Sequence, residues 1–256
     1  MSTSPKKLCF GLKKSKIDHT EQLLSFNYEK VELPIKYDLK NNVKKVYDQQ
    51  EINSCSANAT ANFIRMSDNK HIINSDISRL YLYFCTRWID NNKILPVQDS
   101  GATLKGVFEA LVQYHYIDED KYKYEIEKVN SIPPLDIFQE AIHQYKNPVI
   151  SYRRIMPCKY SFKYIISHLK IPILFGMMVY DNFMNLTKDN DILSLPQKYN
   201  EMLGAHAVVI VGYEEDHLII LNSHGSNFAD GGYFRMPWEY VLNPDLCFEF
   251  YILNSN

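Results

Sequence analysis

The chain lacks any excess of one charge: 28 Lys and Arg stand against 30 Asp and Glu, a formal net charge of -2 at pH 7. Without a basic surplus it carries no electrostatic footprint for nucleic acid or for an anionic membrane. Its short lysine clusters, Lys6-Lys7, Lys13-Lys14 and Lys44-Lys45, read as solvated surface. A CxxC pair is also missing. Cys9, Cys55, Cys85, Cys158 and Cys247 are widely spaced and odd in number. That argues against a cysteine metal site and against a dense disulfide framework, and for a reducing compartment. No run approaches the roughly 18 apolar residues of a membrane span, and the stretch 171–180 is too short. The first ten residues hold no apolar signal core, so the expectation is an intracellular protein, in cytoplasm or in a virion if the source is viral. Internal repeats and low-complexity segments are absent too.

What is present is an ordinary globular composition, 46% hydrophobic and 23% charged, over 256 residues. That length suits one large domain or two lobes sharing a cleft. Residues 1–32 are polar, Lys-rich and weakly periodic, and read as an extension ahead of a main fold over 33–254. Ser54 is placed to cap a helix over 55–66. Ile77, Leu80, Tyr81, Phe84, Cys85 and Trp88 fall on one helical face, and Leu104, Val107, Phe108, Leu111 and Val112 on another. Shorter helices fit 136–145 and 161–169. Beyond residue 170 the pattern changes to short branched and aromatic runs at 171–180, 206–213, 217–222, 231–236 and 248–253. Glu214, Glu215 and Asp216 form the turn of a hairpin carrying His206 on one arm and Asn222 on the other. Helices early and antiparallel strands late give an α+β fold, with a helical lobe over about 45–150 and a β lobe over about 151–254. The cleft between such halves is a natural substrate site.

Four residues across these segments make a chemical set. Cys55 at a helix start gains from the helix dipole, and a neighbouring imidazolium from His206 would lower its pKa further. Asn222, 16 residues beyond His206 across the hairpin, can orient the ring. Gln49, six residues before Cys55, can donate an amide N–H to an oxyanion, with the Cys55 backbone N–H as second donor. Each part alone fits a bland role: a packed cysteine, a core histidine, a turn asparagine, a surface amide. Their conjunction is what points to a thiol nucleophile system.

The conjunction resembles the papain-like cysteine peptidases, the cathepsin family, in a form met in the microbial and viral branch. The resemblance runs from about Leu33 to the C-terminus. Leu33-Pro34 to Leu39 is similar to the family's "LP..DLR" entry, and Val46 to Ala59 to "V.DQG..GSC.ANA". Gln98-Asp99-Ser100-Gly101-Ala102 resembles "QDSGA", beside the glycine strip that pairs with substrate backbone. Gly204 to Tyr213 is close to "GGHAV..VGY", Asn222-Ser223-His224-Gly225 to "NSWG", and Gly231 to Pro237 to "DKGYF.MP". The resemblance implies a two-lobed fold with nucleophile Cys55, base His206, orienting Asn222 and oxyanion donor Gln49. It places Ser100, Gly101, Ala205 and His224 along the substrate-binding surface. It implies peptide or protein substrates, hydrolysis through a thioester, and neither metal nor organic cofactor.

Four positions depart from the family pattern. Gln50 and Asn53 stand where glycines are expected; asparagine tolerates a left-handed backbone, whereas Gln50 is expected to reshape its loop. Ser56 replaces an aromatic residue, and His224 replaces the tryptophan that shields the His–Asn pair, so a wetter pair is expected. The extension over 1–32 is short for a folded prodomain but long enough to drape over the cleft, and Cys9 within it could tether it to the helical half. Two alternatives remain open at this point, a catalytically weak binding protein on the same fold and a thioester-using acyltransferase. A metal site at His206 and His224 finds no cysteine or carboxylate partner at persuasive spacing.

Overall fold

A small-residue helix wedged between a helical lobe and a twisted sheet organises the molecule. The computed structural model describes residues 7–16, 31–67, 75–144 and 151–254, with the backbone of 23–24. In chain order these form β1 (Leu12–Lys13), β2 (Leu23–Leu24), β3 (Tyr37–Asp38), α1 (Cys55–Ser67), α2 (Arg79–Asp90), β4 (Ala102–Thr103), α3 (Leu104–Tyr114) and α4 (Leu135–Gln144). The second half holds β5 (Tyr152–Ile155), α5 (Lys159–Tyr164), β6 (Ile173–Tyr180), β7 (Met202–Tyr213), β8 (His217–Leu221), β9 (Tyr233–Pro237), α6 (Trp238–Val241) and β10 (Cys247–Leu253).

Ala57, Ala59 and Ala61 keep α1 thin enough to be buried on nearly all sides, against α2 and α3 and against β6 and β7. Its buried polar positions need partners, and Asn58 finds them: its Nδ2 donates to the Ser54 carbonyl at 3.0 Å, and Arg79 donates to its Oδ1 at 3.0 Å. Phe63 of α1 meets Phe108 of α3 edge-on, while Tyr81, Phe84 and Trp88 of α2 pack on Phe138 of α4. Apolar burial of this kind, about 1.5–3 kcal/mol per large side chain, is what holds the helical lobe.

The other lobe is antiparallel in the order β5–β10–β6–β7–β8–β9. Strand β3 joins β7 antiparallel, and β2 adds to β5 in parallel at the edge. An irregularity in β7 between Ile210 and Gly212 shifts its pairing with β8. Gly212 is needed there for space, since a Cβ would lie 2.9 Å from the Tyr37 carbonyl oxygen. The α+β, two-lobed expectation therefore holds. No helix among the described residues is long and apolar enough to cross a membrane.

Some boundaries differ for identifiable reasons. Strand β8 stops at Leu221, because Asn222 turns its backbone N–H to the Gly232 carbonyl at 3.0 Å. Ser54 does precede α1, but its hydroxyl bonds the Tyr124 hydroxyl at 2.5 Å and takes the Asn58 amide at 2.9 Å. The helix expected over 161–169 begins at Lys159 and ends in a π-helical turn, Ile165–Leu169. Of the extension, residues 7–16 pair with β4 and Ala205. The rest of 1–32 falls outside the described residues, apart from the short β2 pairing and residues 31–32.

Candidate active site

The loop before α1 is held from three sides. Asp48 and His224 form an antiparallel bridge, and the Gln49 N–H donates to the Ser223 carbonyl at 2.8 Å. Tyr124 donates its hydroxyl to the Gln49 carbonyl at 2.9 Å. Gln50 takes the left-handed conformation, φ 55°, and its N–H donates to Asp48 Oδ1 at 2.8 Å. That contact supports a backbone that favours glycine. Asn53 is not left-handed, so the tolerance expected of it is needed at Gln50 instead. Asn53 serves differently: its N–H donates to Asp99 Oδ1 at 3.0 Å and its Nδ2 to the Asp99 carbonyl at 3.1 Å. Asp99 also accepts from the Tyr83 hydroxyl at 2.6 Å, which in turn accepts the Gly101 N–H at 3.0 Å. The Cys55 loop and the strip at Gly101 are thus fastened together through one carboxylate and one phenol.

On the β side, His206 Nε2 lies 2.7 Å from Asn222 Oδ1, which also accepts the Ser223 N–H at 2.8 Å. With that oxygen an acceptor, the imidazole proton is assigned to Nε2, leaving Nδ1 with its lone pair. His206 Nδ1 is buried and has no hydrogen-bond partner among the described residues. The network continues from the Ser223 hydroxyl to Gln49 Oε1 at 2.7 Å, so Gln49 and Asn222 share one support. The Cys55 thiol accepts backbone hydrogen bonds from Ala207, the residue after His206, and from Gly11 and Ser56. Helical and strand lobes therefore bring the four expected residues to one place.

The electrostatics differ from expectation. Burial pushes the Cys55 thiol up to about 11, against backbone N–H groups that lower it. Burial also pulls His206 down to about 4, against the Asn222 hydrogen bond that raises it. Both groups are enclosed, so desolvation outweighs the helix dipole and the resting pair is a neutral thiol with a neutral imidazole. The pH dependence of folding follows. Unfolded His206 takes up protons near 6.5, where the folded ring does not, so stability falls as pH drops from about 6.5 towards 4. Unfolded cysteine loses its proton near 9.0, where the folded thiol does not, so stability also falls as pH rises from about 9 towards 11. Urea midpoints are expected to be flat between those limbs and to drop on the acid side by an amount worth about 3 kcal/mol.

His224 lies flat against His206, ring centroids 4.9 Å apart and planes 9° from parallel. Phe10 and Phe183 point edges at both imidazoles, and Phe228 packs on His224 and Phe183. His206 is 0%, Asn222 2% and His224 3% exposed, so the His–Asn pair is dry rather than wet. Three phenylalanines replace the missing indole as a shield. Two positive charges at 4.9 Å would repel by about 3 kcal/mol at an effective dielectric near ~20.

The cleft is filled by the chain's own N-terminal segment, a strap from residue 7 to 16. Gln49 Nε2 donates to the Cys9 carbonyl at 3.0 Å and to the Ile52 carbonyl at 3.0 Å. The Cys9 oxygen thus takes up the Gln49 amide N–H that sequence reading assigned to an oxyanion. Gly11 bridges Ala205 in parallel, and its carbonyl accepts the Ala102 N–H at 3.0 Å. Strand β1 then runs parallel to β4, pairing Leu12 with Ala102 and Lys13 with Thr103. Gly101 has φ 77°, and a Cβ there would lie 1.7 Å from the Gly11 oxygen. Leu12 is buried where β6 has Gly176; a Cβ on that glycine would strike Leu12 at 2.7 Å and Phe248 at 2.5 Å.

The strap's far end is tied by charge. Lys13 donates to the Ser100 hydroxyl at 3.0 Å, and the Lys14 ammonium stands over the Phe248 ring at 4.7 Å. Lys13 and Lys14 are exposed, as expected of solvated surface, and make these contacts from there. The Ser15 N–H and hydroxyl donate to Glu249 at 2.7 and 2.6 Å, and the Lys105 N–H reaches Ser15 at 3.3 Å. Ser100, Gly101 and Ala205 thus contact the strap, while His224 meets it only through Phe10. Cys9 is a free thiol, as are the other four cysteines, so no tether is formed. Phe10, Ser15, Phe248 and Glu249 carried no motif that sequence reading could use, and Asp99 was read only as part of the Gln98–Ala102 motif. Gly11, a lone glycine in a lysine-rich stretch, was the one local signal.

Comparison with known proteins agrees with the fold. The family model described as papain family cysteine protease matches residues 33–242. An uncharacterized peptidase C1-like protein of Acanthamoeba polyphaga mimivirus is 31% identical over 285 aligned positions, covering 100% of this chain and 89% of its own length. Xylellain, a cysteine protease from Xylella fastidiosa, superposes with a TM-score of 0.83 at 28% identity, covering 100% of this chain and 99% of that one. A procathepsin B from Trypanosoma congolense shares the fold, with a TM-score of 0.66 at 16% identity over 96% of this chain and 85% of its own.

Proposed function

The chain belongs to the papain family of cysteine proteases, and from that premise we propose that it hydrolyses peptide bonds through Cys55 and rests in a form closed by its own N-terminus. The observation that carries the reading is the continuous array His206–Asn222–Ser223–Gln49, with the Cys55 thiol on the N–H of Ala207 beside His206 and the Cys9 carbonyl on Gln49 Nε2. With a peptide in place of the strap, His206 Nδ1 takes the thiol proton, and the thiolate attacks the scissile carbonyl carbon. Gln49 Nε2 and the Cys55 N–H would hold the oxyanion. The C–N bond then breaks, the Nδ1 proton goes to the leaving amine, and a thioester remains. Water, deprotonated by His206, attacks the thioester and frees the acid and the thiol. Asn222 keeps the ring turned so that Nδ1 faces sulfur.

Substrate backbone would lie along Gly101 and Ala205, where strap backbone lies now. The extension over 1–32 acts in this reading as an inhibitory strap on a domain of 33–254, and peptides or proteins are its partners. The odd, unpaired thiols favour a reducing compartment, in cytoplasm or virion. The test treats reduced full-length protein with an epoxide inhibitor of thiol peptidases and, separately, with a peptide library in heavy-oxygen water. An adduct on Cys55 and acid products carrying heavy oxygen are expected. Intact peptides and an unmodified Cys55, with the strap displaced, would overturn the reading.

A further inference from the structure

The ring stacked on His206 is an imidazole, and an imidazole can take a proton where the tryptophan expected there cannot. Four rings face His224. Phe10 comes from the strap, Phe183 from the 3-10 turn Asp181–Asn185, Phe228 from the loop after β8, and His206 from β7. Asp48 adds its backbone, which bridges to His224, and its carboxylate lies beside the next residue, Gly225. Arg79 of α2 approaches the Asp48 carbonyl at 3.5 Å, and the Cys55 thiol of α1 accepts the N–H of Ala207, next to His206. Three of the four rings are hydrocarbon, so charge on one imidazole is felt by the other with little screening.

Resting on the peptidase reading above, we infer that His224 is a positioning residue acting through His206: it must be neutral for the thiolate–imidazolium pair to form. The working ion pair places a proton on His206 Nδ1. A second proton on the parallel ring 4.9 Å away then opposes it. The thiolate offsets part of the charge on His206, and the Asp48 carboxylate favours a proton on His224, so this second proton arrives as pH falls. Protonating His224 returns the His206 proton to sulfur and leaves a thiol that does not attack. The ring thus gives this chain an acid cut-off, and the two imidazoles titrate as a coupled pair.

The test measures kcat/KM against pH for the full chain and for His224→Phe and His224→Trp, with the histidine carbon resonances of each protein followed over the same range. Wild type is expected to lose activity in acid as one proton is taken up, about tenfold per pH unit. Both variants are expected to keep a one-proton slope, with the acid midpoint at least about one pH unit lower. The His206 resonance should titrate at higher pH in the variants. Coincident acid limbs and coincident His206 titrations in folded variants would overturn the inference. The pH dependence of Cys55 alkylation by iodoacetamide keeps the two readings separate. Coupled rings and shifted alkylation without any peptide hydrolysis would sink the peptidase assignment while leaving His224 its role.

Discussion

Replacing Gly11 with glutamate is expected to raise peptide turnover by the full-length chain about a hundredfold, through release of the strap. The residue needs to be glycine for space alone, since its φ is not in the left-handed region. A Cβ at Gly11 would sit 2.2 Å from Asn53 Cβ and 2.8 Å from the Asn53 carbonyl oxygen. One side has to move, and Asn53 is pinned by its main-chain and side-chain bonds to Asp99. The strap gives way instead. Its detachment forfeits the burial of Leu12, about 1.5–3 kcal/mol, and backbone hydrogen bonds worth about 1 kcal/mol each. A loss near ~3 kcal/mol shifts the closed-to-open ratio by roughly a hundredfold. Since Gly11 belongs to the strap and not to the reacting groups, kcat per opened molecule should be that of wild type with the strap displaced. Initial rates and iodoacetamide labelling of Cys55 measure both. A folded Gly11→Glu protein whose rates equal those of wild type would show that the strap does not limit access.

The closed state is also electrically simple. Covered, the site holds its one proton on sulfur; in the ion pair the same proton is on His206 Nδ1. Opening therefore redistributes a proton without net uptake, and what drives it is solvent returning to two groups whose ionisation burial had suppressed. In the proposed reading, helix dipole and imidazolium, the two devices expected to activate Cys55, would have their effect only once Phe10 and Gly11 leave. Strap and shield are one structure here, because Phe10 both occupies the cleft and walls the imidazoles.

How far the sequence foretold this depends on the range of the forces involved. Cys55, His206, Asn222 and Gln49 were legible as a set: each sits in a short local pattern that alone fits a bland role, and their order and spacing together carried the reading. The strands after residue 170 were legible from local pattern alone. Local pattern could not tell that Lys13 finds Ser100 or that Ser15 finds Glu249, 234 residues away. Nor could it show that Gln50 adopts φ 55° while Asn53 does not, since that choice is made by Asp48 and Asp99 accepting their N–H groups. The dry imidazole pair was missed because its shield, Phe10, Phe183 and Phe228, is assembled from three separate parts of the chain.

Gln49→Ala is expected to lower kcat by about 10²–10³, the size of effect seen when one oxyanion donor is lost, with KM changed far less. The measurement belongs in the Gly11→Glu background, because Gln49 also holds the strap through the Cys9 carbonyl. Removing it in the closed protein would open the cleft and weaken catalysis together. A second complication is the bond from the Ser223 hydroxyl to Gln49 Oε1, which ties this side chain to the loop carrying Asn222. Gln49→Glu separates the two roles. Glutamate keeps an acceptor for Ser223 and nearly the same shape, but an ionised carboxylate has no N–H to donate and would face the oxyanion with like charge. If the donor function matters, Gln49→Glu falls at least as far as Gln49→Ala although the Ser223 contact survives. If only the scaffold matters, Gln49→Glu retains most of the activity and alanine does not. Near-normal kcat in both variants, with folding intact, would remove Gln49 from the reaction and leave the backbone N–H of Cys55 to stabilise the oxyanion alone.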